Sequence, residues 1–218
     1  MSHFAKGNKS IEFIINCANE EFARNGEKAT LNSICQKHNI SKGRMYHFFT
    51  SKEDLFYNCF KYSLSHIIDS INKFTIDESK SLERNLHNYY TVIINHWMAN
   101  PNEIITISFI TEMIPLLSQE IQDKITQYRV EWTDYVVDKF LQIINAKRIK
   151  MRINATLTKQ LIIAIYQYLF YTFSHELIND LKAKNYARAE KNKENLLSYY
   201  DMIIDTFLNG VVDKRYKY

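Results

Sequence analysis

The sequence predicts an all-α fold. Four glycines and two prolines in 218 residues leave few turn signals. Apolar residues recur three and four positions apart along most of the chain, the period of a helix with one buried face. No segment carries a convincing strand alternation.

The elements follow in order. Ile11, Ile14, Ile15, Ala18 and Phe22 form the first stripe, and Asn25-Gly26 supplies its stop. Thr30 is a good N-cap for a short second helix with Ile34 and Cys35 on one face. Asn39 tolerates the left-handed backbone that a tight turn after His38 needs. Ser41 caps a third helix whose inward face is Met45 and Phe48, with Phe49 behind them. Ser51, with Asp54 three residues later, opens a fourth helix from Lys52 to about Phe74. The second and third helices are joined by a turn of about four residues, the spacing of a helix-turn-helix.

Longer helices follow. One covers roughly Leu82 to Met98, with Leu86, Tyr89, Tyr90, Ile93 and Trp97 inward. Asn100-Pro101-Asn102-Glu103 combines a cap, a first-turn proline and a glutamate, and Pro115 closes the helix it starts. Ser118 opens a helix through Ile144, with Ile121, Ile125, Tyr128, Trp132, Tyr135, Val136 and Phe140 periodic. After the basic stretch KRIKMR, read as a solvated turn, two helices remain, at about 156–183 and 191–213.

Bulk properties narrow the function. A net charge of +4 permits a polyanionic partner without arguing for one. Cys17, Cys35 and Cys59 are odd in number and widely spaced, which fits neither a disulfide framework nor a zinc site. Cys17 and Cys35 fall on apolar faces, and Cys59 leaves a redox role open. The start of the chain lacks the apolar core of a signal peptide. LIIAIYQYLFYTF (161–173) is too short to span a bilayer, so a cytoplasmic protein is expected. The seven histidines form no pair at metal-ligand spacing, and no catalytic motif is present. Neither a metal, a cofactor nor an enzymatic activity is expected.

The third helix carries the donor chemistry. A helix entering the DNA major groove must be slim, polar outward and anchored inward. Gly43 allows close approach, and Arg44 can donate two hydrogen bonds to guanine. Lys42, Tyr46, His47 and Lys52 suit phosphate oxygens, which position without reading sequence. Spacing alone leaves a second reading open: a turn between two core helices with a solvated outer face.

The stretch TLNSICQKHNISKGRMYHFFTSKEDLF resembles the signature of the TetR (tetracycline-repressor-like) family of bacterial transcription regulators. The resemblance rests on Thr30, Ile34, Ser41, Lys42, Gly43, Tyr46, Phe49, Ser51, Lys52, Glu53 and Leu55, with Phe22 and Gly26 upstream. It implies a helix-turn-helix DNA-binding domain in residues 1–60 and a helical effector-binding and dimerisation domain in 61–218. It also implies that Thr30, Asn32 and Ser33 face the duplex. Asn39 stands in for the family's turn glycine, Arg44 for a small polar residue and Phe48 for a frequent His or Tyr. These departures leave DNA binding intact and make the operator harder to infer.

Candidate effector contacts are the aromatic stripes Tyr89, Ile93 and Trp97; Phe109 with Met113; Tyr128 with Trp132; and Tyr166 with Phe170 and Phe173. Glu112 would favour a cationic lipophile if it faced that pocket, and is a plain surface residue if it faces solvent. Leu161, Ile165 and Tyr168, paired with Leu196, Tyr200, Ile203 and Phe207 of the last stripe (which runs on to Val211), are candidates for a four-helix dimer interface. The resulting expectation is a homodimeric repressor on a palindromic double-stranded operator, released by a small lipophilic effector. An activator, or a helical binding protein or enzyme with a vestigial helix-turn-helix, is the alternative.

Overall fold

The structure is a computed structural model, and it describes residues 9–148 and 153–211. Within these, the side chains of residue 166, residues 169–173 and residue 211 are outside the described set. The expectations for residues 149–152 of the basic stretch and for Tyr166, Phe170, Phe173 and Val211 therefore lie outside the described residues.

Helices α1 (Lys9–Asn25), α2 (Leu31–Lys37), α3 (Lys42–Phe48) and α4 (Lys52–Asn72) come first. They are followed by α5 (Leu82–Ala99), α6 (Pro101–Met113), α7 (Gln119–Ala146), α8 (Ala155–Lys182) and α9 (Tyr186–Val211). Short 3₁₀ turns at Gly26–Lys28 and Ile114–Leu116 complete the set, and no strand occurs among the described residues.

Most boundaries follow the expected local chemistry. Gly26 takes a φ of +53°, which ends α1 where a side chain would be strained. Asn39 adopts the same left-handed conformation, with φ +53°. Two details differ. The Asn100 side chain makes no capping bond; Pro101 and the Asn100 carbonyl, which accepts from Glu103 N at 3.1 Å, start α6 instead. Helix α9 begins five residues earlier than expected. Lys184 turns the chain at φ +55°, and Asn185 caps the new helix through its side-chain oxygen on Arg188 N.

The chain divides into two compact units. The first contains the residues up to Ile67 together with Trp97–Glu131. Its core joins Ile14, Ile15, Ala18 and Phe22 of α1 to Ile34, Met45, Phe49 and Leu55, all nearly inaccessible. Helix α6 is apolar on almost every side and is correspondingly covered. It packs along α1, where Thr106 Oγ1 donates to the Asn19 carbonyl at 3.1 Å. Phe22, Phe56 and Phe109 meet at centroid distances of 4.7 Å (Phe22–Phe56) and 5.6 Å (Phe56–Phe109).

The second unit contains Ile68–His96 and the residues from Trp132 onward. The α8–α9 hairpin is its main contact pair. Tyr90 stacks on Tyr200 at 4.2 Å, and the Tyr89 hydroxyl donates to the Val136 carbonyl at 2.9 Å. Asn85 is buried and pins the loop before α5, accepting from Asp77 N and donating to the carbonyls of Asp77 and Ser81.

Candidate nucleic-acid interface

Capping fixes the helix-turn-helix before any packing is considered. The Thr30 hydroxyl accepts from Ser33 N at 3.0 Å, and the Ser33 hydroxyl accepts from Thr30 N at 2.8 Å, a reciprocal box that sets the start of α2. The Ser41 hydroxyl accepts from Arg44 N at 3.2 Å and opens α3. At α4, Ser51 accepts from Asp54 N, and the Asp54 carboxylate reaches back to Thr50 N at 2.9 Å.

Helix α3 then has two faces. Met45 and Phe49, four residues apart, are buried and set its angle on α1 and α2. Phe48 differs from expectation. It sits beside that i, i+4 row, remains half-buried, and lies edge-on against His47 at 4.8 Å. Lys42, Gly43, Arg44, Tyr46 and His47 are all exposed. A Cβ added to Gly43 would meet nothing within 4 Å, so the backbone there is bare to an approaching surface. Asn32 is exposed at the start of α2, whereas the Thr30 and Ser33 hydroxyls are already engaged in the cap.

Two cations have partners that the sequence did not reveal. The Arg44 guanidinium lies 5.9 Å from the ring of Phe13, an exposed aromatic on α1. Lys52 Nζ donates to the Glu27 carbonyl at 2.6 Å and lies 5.3 Å from the Phe56 ring. Burial pushes the Lys52 ammonium below its ordinary value, with Glu27 opposing. Lys52 therefore ties the start of α4 to the turn after α1. Phe56 is an i, i+4 neighbour of Lys52 on α4, but Phe13 and the Glu27 carbonyl could not be found by spacing, since only the fold brings them to Arg44 and Lys52.

The candidate effector residues are distributed over both units. Tyr89 and Ile93 are buried in the second unit, as is Trp132; Trp97 and Tyr128 are buried in the first. Phe109 and Met113 are half-buried, and Phe109 belongs to the aromatic cluster with Phe22 and Phe56. Glu112 is exposed and accepts from the Ser108 hydroxyl at 3.3 Å, so it is a surface carboxylate. Burial pushes the Tyr128 phenol up to about 12, with Tyr57 and Glu131 adding to the shift. A small apolar void of ≈ 10 Å³ in the second unit is lined by Tyr90, Phe140, Ile162, Ile165, Ile204 and Phe207. Tyr90 and Phe140 are periodic in the sequence, but the void exists only once α5, α7, α8 and α9 meet.

The candidate dimer residues separate by exposure. Leu196, Tyr200 and Phe207 are buried inside their own unit, where α9 turns its apolar stripe onto α5 and α7. Ile165 and Ile203 are half-buried. Leu161 and Tyr168 are exposed, at 37% and 58%, and Leu157, Tyr199 and Met202 join them as exposed apolar side chains of the α8–α9 hairpin.

Helices α1–α4, with the outward row on α3, have the arrangement of a helix-turn-helix domain of the kind found in DNA-binding transcription regulators. Residues 14–59 match the family described as "Bacterial regulatory proteins, tetR family". The match covers the helix-turn-helix region, and the whole chain has the fold of solved TetR-family regulators. Among solved structures, the chain is similar to PfmR, a TetR family transcriptional regulator from Thermus thermophilus. That match has 17% identity and a TM-score of 0.58, covering 88% of this chain and 93% of that one. A TetR family transcription regulator from Marinobacter aquaeolei matches at 15% identity and TM-score 0.59, covering 94% and 96%. A tetR-family regulatory protein from Rhodococcus matches at 17% and 0.57, covering 87% and 96%. No curated protein matches the chain in sequence. Among the described residues, no helix is long and apolar enough to cross a membrane.

Proposed function

We propose that the protein is a ligand-responsive transcriptional repressor, without enzymatic activity, that works as a homodimer on a palindromic operator in the cytoplasm. The observation that carries the reading is the outward row on α3. Lys42, the bare backbone at Gly43, Arg44, Tyr46 and His47 share the exposed side of a helix anchored by Met45 and Phe49. Arg44 is the base reader, because its exposed guanidinium rests on an exposed ring and can donate two hydrogen bonds to guanine. Lys42, Tyr46 and His47 hold phosphates, and Thr30, Asn32 and Ser33 flank them at the start of α2. Lys52 keeps donors free beyond its bond to Glu27 and contributes to phosphate binding.

In this reading residues 1–60 read DNA, and residues 61–218 bind the effector and a second copy. A dimer on the exposed α8–α9 face sets two α3 helices about 34 Å apart, one turn of B-DNA. A lipophilic effector would have to widen the small apolar void lined by Tyr90 and Phe140, and it releases DNA only to the extent that it binds the two conformations unequally.

The test is fluorescence anisotropy with the protein's own upstream DNA against scrambled duplex at two salt concentrations. Preference for the upstream DNA supports the reading, and equal affinity overturns it. An activator would use the same interface. Deleting the gene separates the two, since target transcripts rise for a repressor and fall for an activator.

A further inference from the structure

We infer that Glu20, Glu21 and His38 form a binding site for a first-row divalent metal ion of the zinc class, in which the Lys37 ammonium is the resident competitor. Sequence spacing gave no hint of it. Glu20 and Glu21 lie on α1, whereas His38 is the C-cap of α2, and only the packing of α1 against α2 joins them. One ligand atom from each residue lies within 4.8 Å of the other two. Bonds of about 2.0–2.1 Å in a tetrahedral zinc site place ligand atoms roughly 3.3 Å apart. The set therefore has to close by on the order of 1 Å, which glutamate rotamers supply.

Three observations point to a cation here. His38 Nε2 is shielded from solvent without a hydrogen-bond partner and lies 3.9 Å from Glu21 Oε1. The Glu21 carboxylate is buried, and its other oxygen is held by Asn25 Nδ2 at 3.0 Å, the kind of outer contact that orients a metal ligand. Positive charge already occupies the cluster, since Lys37 Nζ pairs with Glu21 Oε1 and lies 3.5 Å from Glu20 Oε1, an oxygen that also accepts from the exposed Arg24 guanidinium at 2.9 Å. Lys37 is partly exposed, so its flexible stem can swing out when a stronger cation arrives.

Access and selectivity follow from the surroundings. Glu20 and His38 line an open cleft of ≈ 500 Å³ together with Asn16, Asn19 and Asn100, which gives the ion a route in and water to complete its shell. One imidazole and two carboxylates suit Zn²⁺, Co²⁺ or Ni²⁺ better than Mg²⁺ or Ca²⁺. Bound metal would clamp α1 to the residue before Asn39, where the chain turns toward α3.

The experiment is a calorimetric titration of metal-stripped, full-length protein with Zn²⁺. One ion per chain is expected, with affinity at least about tenfold weaker in His38→Gln and in Glu20→Gln. Lys37→Met is expected to bind about tenfold more tightly, because no ammonium has to leave. Lys37→Gln carries the same comparison if Lys37→Met fails to fold, as read by circular dichroism. Cysteine Cys17 also lines the cleft, so the Co²⁺ form is examined for a thiolate-to-metal charge-transfer band, which is expected to be absent. Unchanged affinity in His38→Gln, no gain on removing the Lys37 charge, or a strong thiolate band overturns the proposal.

Discussion

Asn39 carries the turn of the helix-turn-helix on its own backbone, at φ +53°. Asn39→Ala is expected to lower stability by about 1 kcal/mol, because a Cβ residue without a helping amide is strained in that region. Asn39→Gly should be close to neutral; chemical denaturation compares the two. Cys59 is fully buried, and burial pushes its thiol well above the ordinary range. Cys17 and Cys35 are shifted the same way, mainly by burial. All three thiols should therefore resist iodoacetamide in the native state and label only on unfolding, as followed by mass spectrometry. Rapid native labelling of Cys59 would restore the redox role that its sequence position leaves open.

Glu21 sets a pH dependence in the same region. Burial alone would raise its carboxyl, but bonds from Lys37 and Asn25 and the charges of Lys37 and His38 hold it below its ordinary value of 4.5. A depressed folded value means that the carboxylate's contribution is complete above that ordinary value. It is lost as pH falls through the lower, folded value. Thermal melts between pH 3 and 7 should therefore show an acid-side loss of stability that is smaller in Glu21→Gln.

At the scale of elements, caps and pinned loops decide where helices begin. Ser41→Ala removes the acceptor for Arg44 N and should cost about 1 kcal/mol. Asn85→Ala leaves Asp77 N and three carbonyls without their buried partner. A loss of about 1–3 kcal/mol is expected, with faster hydrogen exchange at the start of α5. The Thr30 box, the Ser41 cap, the Gly26 stop and the Asn39 turn were all legible, because each depends on neighbours within four residues. The start of α9 was not. No glycine or proline stands between Lys182 and Tyr186 to mark the break, a lysine at φ +55° made the turn, and the Asn185 cap is one of several asparagines there that could open a helix.

At the scale of the whole molecule, exposure separates core from interface. Leu196→Ala should cost about 2–5 kcal/mol of stability, because the side chain is buried within its own unit. Tyr168→Glu combined with Met202→Lys changes two exposed side chains and should leave the fold intact. In the proposed dimer it shifts sedimentation toward monomer and weakens operator binding. A variant that stays dimeric would move the interface elsewhere.

By itself the sequence determined the helical class, the helix-turn-helix and the outward donors of α3, because periodicity, capping and turn chemistry act over a few residues. Tertiary structure alone decided which apolar stripes face inward. Leu196, Tyr200 and Phe207 have the same spacing whether they meet a second copy or their own α5 and α7. It also decided the partners of isolated charges: Arg44 over Phe13, Lys52 on the Glu27 carbonyl, and His38 beside Glu20 and Glu21. Those contacts join residues 17 to 31 positions apart, and no local pattern encodes which surface a long side chain will meet.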